Sequence, residues 1–239
     1  MISIVCMYND KIALEDNLLR TLKNQRFQDY ETILVDTKFH SFHSAAEALN
    51  YGGKHATGEL IMFIHQDVRL EMDDVLDRIL AYSSQEEFGI AGVAGIGKNL
   101  ESFSVIVHGS QKEKAAQNTD FSAPVEGISL DECLLIIPKF VFNQYQYANL
   151  GETWHLYGTD YCLQMLEQGM KILILPIEVW HLSEGNSLNT NYYDTIKKLA
   201  TRHTSFDYIY TLFGKWPTNR YKLSLKTMYR KFRHIVLGR

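Results

Sequence analysis

The chain has few cysteines and no long apolar run. Its 239 residues include only three cysteines, Cys6, Cys133 and Cys162, each within an apolar stretch. This number and spacing give neither a disulfide framework nor a zinc motif, so reduced core thiols in a cytoplasmic protein are expected. No apolar run reaches the ~20 residues that a membrane-spanning helix requires. The first residues go straight into a strand pattern without the basic region of a signal peptide.

The end of the sequence lacks acidic residues. No aspartate or glutamate follows Asp207, whereas eight basic residues do: Lys215, Arg220, Lys222, Lys226, Arg230, Lys231, Arg233 and Arg239. Since the net charge is −4, this tail carries +8 and the preceding residues carry −12. Blocks of like charge among aromatic residues are typical of segments that bind an anionic partner, such as a membrane surface or a nucleic acid. A solvated terminal helix is the alternative.

The remaining sequence has the composition and periodicity of an α/β protein. Apolar residues make up 46% of the chain and aromatic residues 12%, which excludes a disordered or fibrous protein. Apolar runs alternate with helical patterns, which predicts a parallel sheet with right-handed crossovers. Predicted strands are 3–7, 30–35, 60–64, 90–96, 130–137, 170–175 and 178–182, and predicted helices are 11–24, 44–55, 73–83, 159–169 and 191–213. We expect one domain over residues 1–190 and a basic, helical extension over residues 191–239.

The most informative stretch is the apolar run at residues 60–64, which stops at His65, Gln66 and Asp67. Such a run is typical of a strand buried on both faces of a parallel sheet, and open α/β sheets bind ligands just beyond the carboxyl ends of their strands. Because side chains alternate along a strand, His65 and Asp67 would point to the same side. A nitrogen and a carboxylate oxygen there can hold a divalent cation, and the cation can hold a phosphate. Alternatively, Asp67 only caps the helix that follows.

Several motifs occur in a characteristic order along the chain. They are Ser-Ile-Val-Cys-Met-Tyr-Asn at 3–9, Ile-Leu-Val-Asp at 33–36, Asn-Tyr-Gly at 50–52, Ala-Thr-Gly-Glu at 56–59, Ile-His-Gln-Asp at 64–67, Gly-Thr-Asp-Tyr-Cys-Leu at 158–163, Gly169, and Val-Trp-His at 179–181. Together they resemble the motifs of family-2-type glycosyltransferases, which have the GT-A fold and use nucleotide-sugar donors. The resemblance covers roughly residues 1–186. It implies a Rossmann-like, mostly parallel sheet flanked by helices.

The resemblance implies a binding site for the donor nucleotide. Its residues would be Tyr8, Asn9, Asp36, Asn50, His65, Gln66 and Asp67. Tyr8 offers a flat face for a nucleobase, and stacking contributes ~1–3 kcal/mol per base, although an ordinary core tyrosine fits the pattern equally well. Asp36 can accept the imide N–H of uracil or thymine, with a helix N-cap as the alternative. A UDP-sugar is therefore the expected donor, followed by a dTDP-sugar.

The resemblance also implies a metal site. Asp67 stands in the family's Asp-x-Asp motif and would bind Mn²⁺ or Mg²⁺, which bridges the two phosphates of the donor. His181 matches a histidine that often completes this site, although a purely structural histidine is the alternative. The family's first aspartate is here His65. This replacement favours Mn²⁺, which tolerates an imidazole nitrogen better than Mg²⁺ does.

The catalytic base is the least defined part of the resemblance. Many relatives have Glu-Asp-x-Asp where this chain has Tyr-Gly-Thr-Asp at 157–160, so only the last aspartate is present. Asp160 is the predicted base that takes the proton of the acceptor hydroxyl, and helix capping is the alternative. His155 is the reserve candidate because the ordinary pKa of histidine lies near neutrality.

The predicted activity is metal-dependent glycosyl transfer of the hexosyltransferase type, with inversion. The acceptor would be a hydroxyl of a glycan or of a lipid-linked glycan, in the synthesis of a cell-surface polysaccharide or glycoconjugate. The tail at 215–239 would bind an anionic membrane surface, so a cytoplasmic location, with peripheral attachment at the inner face of the membrane, is expected. No nucleic acid is expected as a partner.

Two other classes remain open. One is a catalytically inactive, GT-A-like module that binds nucleotides, since several acidic residues of the family are missing. The other is a sugar nucleotidyltransferase. That class normally has a Gly-rich, basic loop after the first strand, where this chain has Tyr-Asn-Asp-Lys at 8–11.

Overall fold

A computed structural model of the chain describes residues 1–114, 116–183 and 190–237, without the side chains of residues 190 and 233–237. The strands in this part are β1 (Ile2–Tyr8), β2 (Tyr30–Asp36), β3 (Leu60–Ile64), β4 (Val68–Arg69), β5 (Ile90–Gly92), β6 (Ala94–Gly97), β7 (Ser102–Ser104), β8 (Ile106–His108), β9 (Val125–Leu130), β10 (Leu134–Pro138), β11 (Ile172–Ile174), β12 (Val179–His181), β13 (Tyr208–Thr211) and β14 (Gly214–Pro217). The helices are α1 (Lys11–Leu14), α2 (Arg20–Leu22), α3 (Ala45–His55), α4 (Val75–Gln85), α5 (Lys139–Gln144), α6 (Tyr157–Glu167), α7 (Thr190–Arg202) and α8 (Arg220–Leu237), and a π-helical turn, Glu15–Leu19, joins α1 to α2.

A nine-stranded sheet forms the centre of the described structure. Its order is β2-β1-β3-β10-β5-β11-β9-β6-β7. The pairs β1–β2, β1–β3 and β5–β11 are parallel, and the other neighbours are antiparallel. As a result, β1, β2, β3, β5, β6 and β11 run in one direction, and β7, β9 and β10 run in the other. The predicted α/β fold with a mostly parallel sheet is confirmed.

The sheet is covered by helices on both faces. All five residues of β3 are buried, as expected for a central strand. Side chains alternate along β3, so Met62 joins the apolar cluster beneath the first helical segment and α4, whereas Phe63 joins the cluster beneath α3, α5 and α6. Each fully buried side chain of this size contributes about 1.5–3 kcal/mol. These two clusters hold the carboxyl edges of β1, β2 and β3 level with one another.

Two predicted strands are each divided in two. The run at 90–96 forms β5, which pairs with β10 and β11, and β6, which pairs with β7 and β9. The run at 130–137 is interrupted because the Asp131 carboxylate accepts the N–H of Cys133 at 2.9 Å and closes a turn. Residues up to Leu130 therefore belong to β9, and β10 begins at Leu134. This turn places Asp131 and Glu132 at the edge of the sheet.

The predicted helix at 191–213 is wrong in its second half. Helix α7 ends at Arg202, and β13 and β14 form an antiparallel hairpin in which Ile209 pairs with Trp216. Trp216 in β14 is 1% exposed and packs against Tyr192 and Tyr193 at ring distances of 5.9 Å. The aromatic and β-branched residues of β13 bury Ile209 in this cluster, and burial outweighs their helical spacing.

A third apolar cluster joins the last part of the chain to the sheet domain. It contains Leu156 and Leu163 beside Ile196, Trp216 and Leu223. The boundary at residue 190 stays a prediction. In the part of the chain that the structure describes, no helix combines the length and the apolar character needed to cross a membrane.

Candidate functional site

A cleft of about 840 Å³ lies at the carboxyl edge of the central strands. Tyr8 ends β1 and pairs with Asp36 at the end of the parallel strand β2. The next parallel strand, β3, ends one residue before His65. Residues lining the cleft include Tyr8, Asn9, Thr37, His65, Gln66, Asp67, His108, Asp131, Glu132, Trp154, His155, His181, Tyr192, Leu212 and Phe213. Such an edge is where open α/β sheets bind ligands.

Three side chains in the cleft could hold a metal ion. One ligand atom of each of His65, Asp67 and His181 lies within 4.8 Å of the other two, and His181 Nε2 is 3.3 Å from Asp67 Oδ1. The set provides two imidazole nitrogens and one carboxylate. This chemistry suits Mn²⁺ better than Mg²⁺, which prefers oxygen ligands.

A small second sheet positions His181. Strand β12 lies between β4 and β8, and its last residue, His181, pairs with Val68 on one side and His108 on the other. The N–H of Leu182 donates to the carbonyl of Asp67 at 3.1 Å. This pairing brings a histidine more than a hundred residues away in sequence against Asp67.

The charges within this group depend on one another. Burial alone would raise the pKa of Asp67, but the hydrogen bond and the charge of His181 outweigh it and lower the pKa below its ordinary value. Burial would lower the pKa of His181, and Asp67 reverses this effect and raises it. For His65, burial and then the charge of His181 both lower the pKa. A neutral His65 imidazole is in the form that binds metals.

Gln66 ties two loops of the cleft together. Its Oε1 accepts the backbone N–H groups of Asn9 and Asp10 at 2.9 and 3.0 Å, and its Nε2 donates to Asn9 Oδ1 at 2.9 Å. The side-chain amide of Gln66 is therefore bonded both to the backbone and to the Asn9 side chain of the loop after β1. Both residues line the cleft, and they hold the segment after β1 in a fixed position relative to the segment after β3.

Tyr8 and Asp36 lie side by side at the ends of the paired strands β1 and β2. Asp36 Oδ1 accepts the N–H groups of Lys38 and Phe39 at 2.9 and 3.0 Å. The Phe39 N–H is the main cause that lowers the pKa of Asp36, and the Tyr8 hydroxyl adds to it. Burial, followed by the bond to Asp36, raises the pKa of Tyr8. Tyr8 lines the cleft, whereas Asp36 does not belong to its lining.

Three predicted site residues, Asp36, Asn50 and Asp160, lie outside the cleft lining. Asn50 bonds through both amide atoms to the backbone of Tyr147, at 2.8 and 3.0 Å, and so fastens α3 to that segment. Asp160 is 1% exposed, and its Oδ1 lies 2.9 Å from His203 Nε2 and 3.2 Å from Arg202 Nε. Its carboxylate links α6 to the end of α7, so it does not face the space where an acceptor would bind. The reserve candidate, His155, does line the cleft.

The sequence pattern did not indicate Glu132. It follows Asp131 in the turn between β9 and β10 and lines the cleft. The hydroxyl of Tyr157 donates to the carbonyl of Glu132 at 3.3 Å and lies 3.1 Å from His65 Nε2. Two adjacent acidic residues between apolar runs are the signal that could have indicated a turn here. The predicted strand at 130–137 includes them instead.

Comparison with sequence families gives one match, to a family described as "Glycosyltransferase like family", over residues 2–203. A search of curated proteins finds no match.

Solved structures with a similar fold share little sequence with this chain. TarS from S. aureus, in complex with UDP-GlcNAc, is 13% identical with a TM-score of 0.58, and the match covers 84% of this chain and 65% of that one. The mannosyltransferase PcManGT from Pyrobaculum calidifontis, in complex with GDP-Man and Mn²⁺, is 12% identical with a TM-score of 0.60, covering 95% of this chain and 68% of that one. GalNAc-T7 with UDP, GalNAc and Mn²⁺ is 12% identical with a TM-score of 0.59, covering 82% and 48%. This chain therefore spans less than two thirds of the TarS structure and about half of GalNAc-T7. At these identities the likeness shows the fold.

Proposed function

The chain belongs to the glycosyltransferase-like family whose match spans residues 2–203, and from this premise we propose that it transfers a sugar from a nucleoside diphosphate to an acceptor hydroxyl. The observation that carries the proposal is the meeting of His65, Asp67 and His181 at the carboxyl edge of the sheet, within one cleft that Tyr8 also lines. The metal ligands suit the diphosphate of a nucleotide sugar, and the flat ring of Tyr8 suits its base.

The proposed donor is a UDP-sugar. Tyr8 offers its ring to the base, and Asp36 behind it offers a carboxylate to the imide N–H of uracil. The S. aureus TarS structure contains UDP-GlcNAc and the GalNAc-T7 structure contains UDP, which supports a uridine nucleotide. PcManGT was solved with GDP-Man, so guanosine nucleotides belong in the test.

The proposed chemistry is a single displacement with inversion at the anomeric carbon. Asp67, His181 and His65 would hold Mn²⁺ or Mg²⁺, which would neutralise negative charge on the departing diphosphate. The Gln66–Asn9 bonds keep the loops on either side of the donor in place. A carboxylate on the opposite side of the cleft is needed to take the proton of the acceptor hydroxyl.

The proposed acceptor is a glycan, either free or lipid-linked, as in the synthesis of a cell-surface polysaccharide or glycoconjugate. The cleft wall away from Tyr8 carries Trp154, Tyr192, Leu212 and Phe213, and aromatic faces of this kind suit sugar rings. Trp154 is 43% exposed and Phe213 44% exposed, so both are accessible to a large acceptor.

We further propose that α8 binds an anionic membrane surface from the cytoplasmic side. Its large exposed residues, Tyr221, Leu225, Met228, Tyr229 and Phe232, are between 59% and 81% exposed. At 100° per residue they fall on one stripe of the helix, opposite the buried Leu223 and Thr227. The exposed Lys222 lies along one side of this stripe, an arrangement that suits an interfacial helix on anionic lipid.

Calorimetry with UDP, dTDP, GDP and CDP, each with Mn²⁺, with Mg²⁺ and without metal, tests the proposal. We expect one pyrimidine diphosphate to bind in a metal-dependent manner, better with Mn²⁺, and the Asp67→Asn variant to lose this binding because its carboxylate is the only anionic ligand of the set. Asp16→Asn, an exposed aspartate on the first helical segment, is the matched control and should bind as wild type does. If none of the four nucleotides binds, nucleotide-sugar chemistry is excluded.

A further inference from the structure

Glu132 fills the space that a side chain at position 158 would need. Gly158 is the second residue of α6, and its N–H donates to Glu132 Oε1 at 2.9 Å. A Cβ atom on Gly158 would lie 3.0 Å from Glu132 Cγ and 3.6 Å from Glu132 Oε1. The carboxyl group that reaches this place therefore comes from the turn after β9, and the absence of a side chain on α6 gives it room.

This carboxyl group belongs to the cleft. Glu132 is partly exposed and lines the cleft together with His65, Asp67 and His155. Tyr157, which lies 3.1 Å from His65, also holds the backbone of Glu132. The other acidic residues that line the cleft are Asp67, which is bonded to His181, Asp131, which accepts the N–H of Cys133 within its own turn, and Glu113, whose backbone pairs with His108 beside β8. Glu132 is the cleft carboxyl group that lies at the start of α6, where its Oε1 accepts the Gly158 N–H.

We propose that Glu132 is the catalytic base of the transfer. Its carboxylate takes the proton of the acceptor hydroxyl while the acceptor oxygen forms its bond to the anomeric carbon. The bond from that carbon to the diphosphate breaks at the same time, and the diphosphate leaves with the electron pair. This assignment rests on the proposed function. It gives the role of base to Glu132 in place of Asp160, whose carboxylate is buried against Arg202 and His203.

The surroundings of Glu132 suit this role. Burial, with a smaller contribution from Asp131, raises the pKa of Glu132 to about 8, although the N–H groups of Gly158, Leu156 and Tyr157 act in the opposite direction. The titratable groups that face Glu132 are Asp131 from its own turn, Tyr157 and Cys162 from α6, Tyr147 from the segment before α6, and Tyr192 from α7. The pKa of each of these tyrosines and of Cys162 is raised by burial, so none of these four side chains is ionised at neutral pH.

A raised pKa has a definite consequence for the rate. Only the ionised form of Glu132 can accept a proton. The rate should therefore be low at pH values below about 8, where Glu132 is protonated, and should reach its plateau above that pH. A base with a pKa near the working pH is also the most efficient kind.

The test measures UDP release from UDP-glucose, UDP-galactose and UDP-GlcNAc with Mn²⁺, where water serves as the acceptor. Glu132→Gln keeps an oxygen that can accept the Gly158 N–H but cannot take a proton. We expect UDP release to fall by ~10²–10⁴-fold, the usual contribution of a general base, and the pH dependence near 8 to disappear, while calorimetry shows UDP binding like that of wild type. Glu126→Gln, at a half-buried glutamate on β9 that pairs with Lys98 and lies outside the cleft lining, is the matched control and should release UDP at the wild-type rate.

A second pair of variants tests whether a carboxyl group at position 158 can replace the one at position 132. Glu132→Ala removes the Cγ that a side chain at 158 would meet, and the other near atom, Leu135 Cδ1 at 3.1 Å, is the end of a flexible side chain that can shift by a few tenths of an ångström. The double variant Glu132→Ala with Gly158→Asp should therefore recover part of the UDP release that Glu132→Ala alone loses.

The outcomes separate the two proposals. If Glu132→Gln releases UDP at the wild-type rate with an unchanged pH profile, Glu132 is not the base, and the proposed function stands. If wild type binds UDP but releases none from any of the three sugars, both the sugar transfer and the base assignment are overturned, and the chain acts as a binding module. If wild type binds no nucleotide, the proposed function itself fails.

Discussion

Asp160 shows how a buried carboxylate at a helix start can serve structure alone. It lies in the first turn of α6, where the helix dipole favours a negative charge, and His203 Nε2 and Arg202 Nε both approach its Oδ1. His203 is itself buried and also bonds to Glu167 at 3.1 Å. These contacts fasten the end of α7 to α6, and none of them involves a residue of the cleft lining.

Asp160→Asn should therefore lower stability and leave UDP release near the wild-type rate. A hydrogen bond to a charged group contributes about 1.5–3 kcal/mol, and we expect the free energy of unfolding, measured by urea denaturation, to fall by about that amount. Asp120→Asn, at an exposed position, is the control and should leave both quantities unchanged. A variant that keeps its stability but loses UDP release would return Asp160 to the role of base.

Cleft residues that follow a clear strand could be predicted from the sequence, whereas those whose position depends on a turn could not. His65, Gln66 and Asp67 were predicted to lie in the site because the apolar run before them is uniform and ends abruptly. Glu132 was missed because the residues around it, Leu130 and Cys133, are also buried and apolar, so the run looked continuous. The turn is made by a single bond from the Cys133 N–H to Asp131, which periodicity does not register.

The same reasoning explains which elements were predicted. Strands β1, β2 and β3 and helices α3, α4 and α6 were found near their observed bounds, and Gly169, after α6, has a φ of 71° as expected for a helix-ending glycine. The hairpin of β13 and β14 was not found, because Ile209, Leu212 and Phe213 fit a helical period as well as a strand. Only the burial of Trp216 against α7 decides between the two.

This hairpin should be the element that fixes the last part of the chain to the sheet domain. Trp216 is 1% exposed, lies against Tyr192 and Tyr193, and has Lys226 Nζ 5.2 Å above its ring. Trp216→Ala would leave a cavity at this junction, and substitutions of this kind cost about 3–5 kcal/mol. Urea denaturation is the measurement, with Tyr221→Ala, 81% exposed, as the control that should change stability little. A loss well under 1 kcal/mol for Trp216→Ala would mean that the hairpin does not support the fold.

At the scale of the whole molecule, the positive charge and the exposed apolar side chains both concentrate in the last part of the chain. The residues after Asp207 carry +8 and the rest of the chain −12, so the molecule is strongly dipolar. Part of the positive charge is used internally: Lys231 pairs with Asp194 at 2.9 Å, and Lys226 donates to the carbonyl of Lys215. The large side chains of the stripe, Tyr221, Leu225, Met228, Tyr229 and Phe232, are exposed. The hairpin tip, with Leu212 and Phe213, connects this region to the cleft, which would bring a lipid-linked acceptor to the reacting sugar.

If α8 binds an anionic membrane, the full chain should sediment with phosphatidylcholine–phosphatidylglycerol vesicles, and the bound fraction should fall as salt is raised, because screening weakens attraction between exposed charges. Leu225→Ser with Phe232→Ser removes two apolar side chains that would enter the lipid, each contributing about 1.5–3 kcal/mol on burial, so binding should weaken by at least tenfold. These point substitutions are preferable to deletion of the tail, which would also remove the buried Trp216. Phe39→Ser, at a position 83% exposed after β2, is the matched control and should sediment as wild type does. Equal sedimentation of the double variant and wild type would show that the stripe does not face lipid and would assign it to a protein partner.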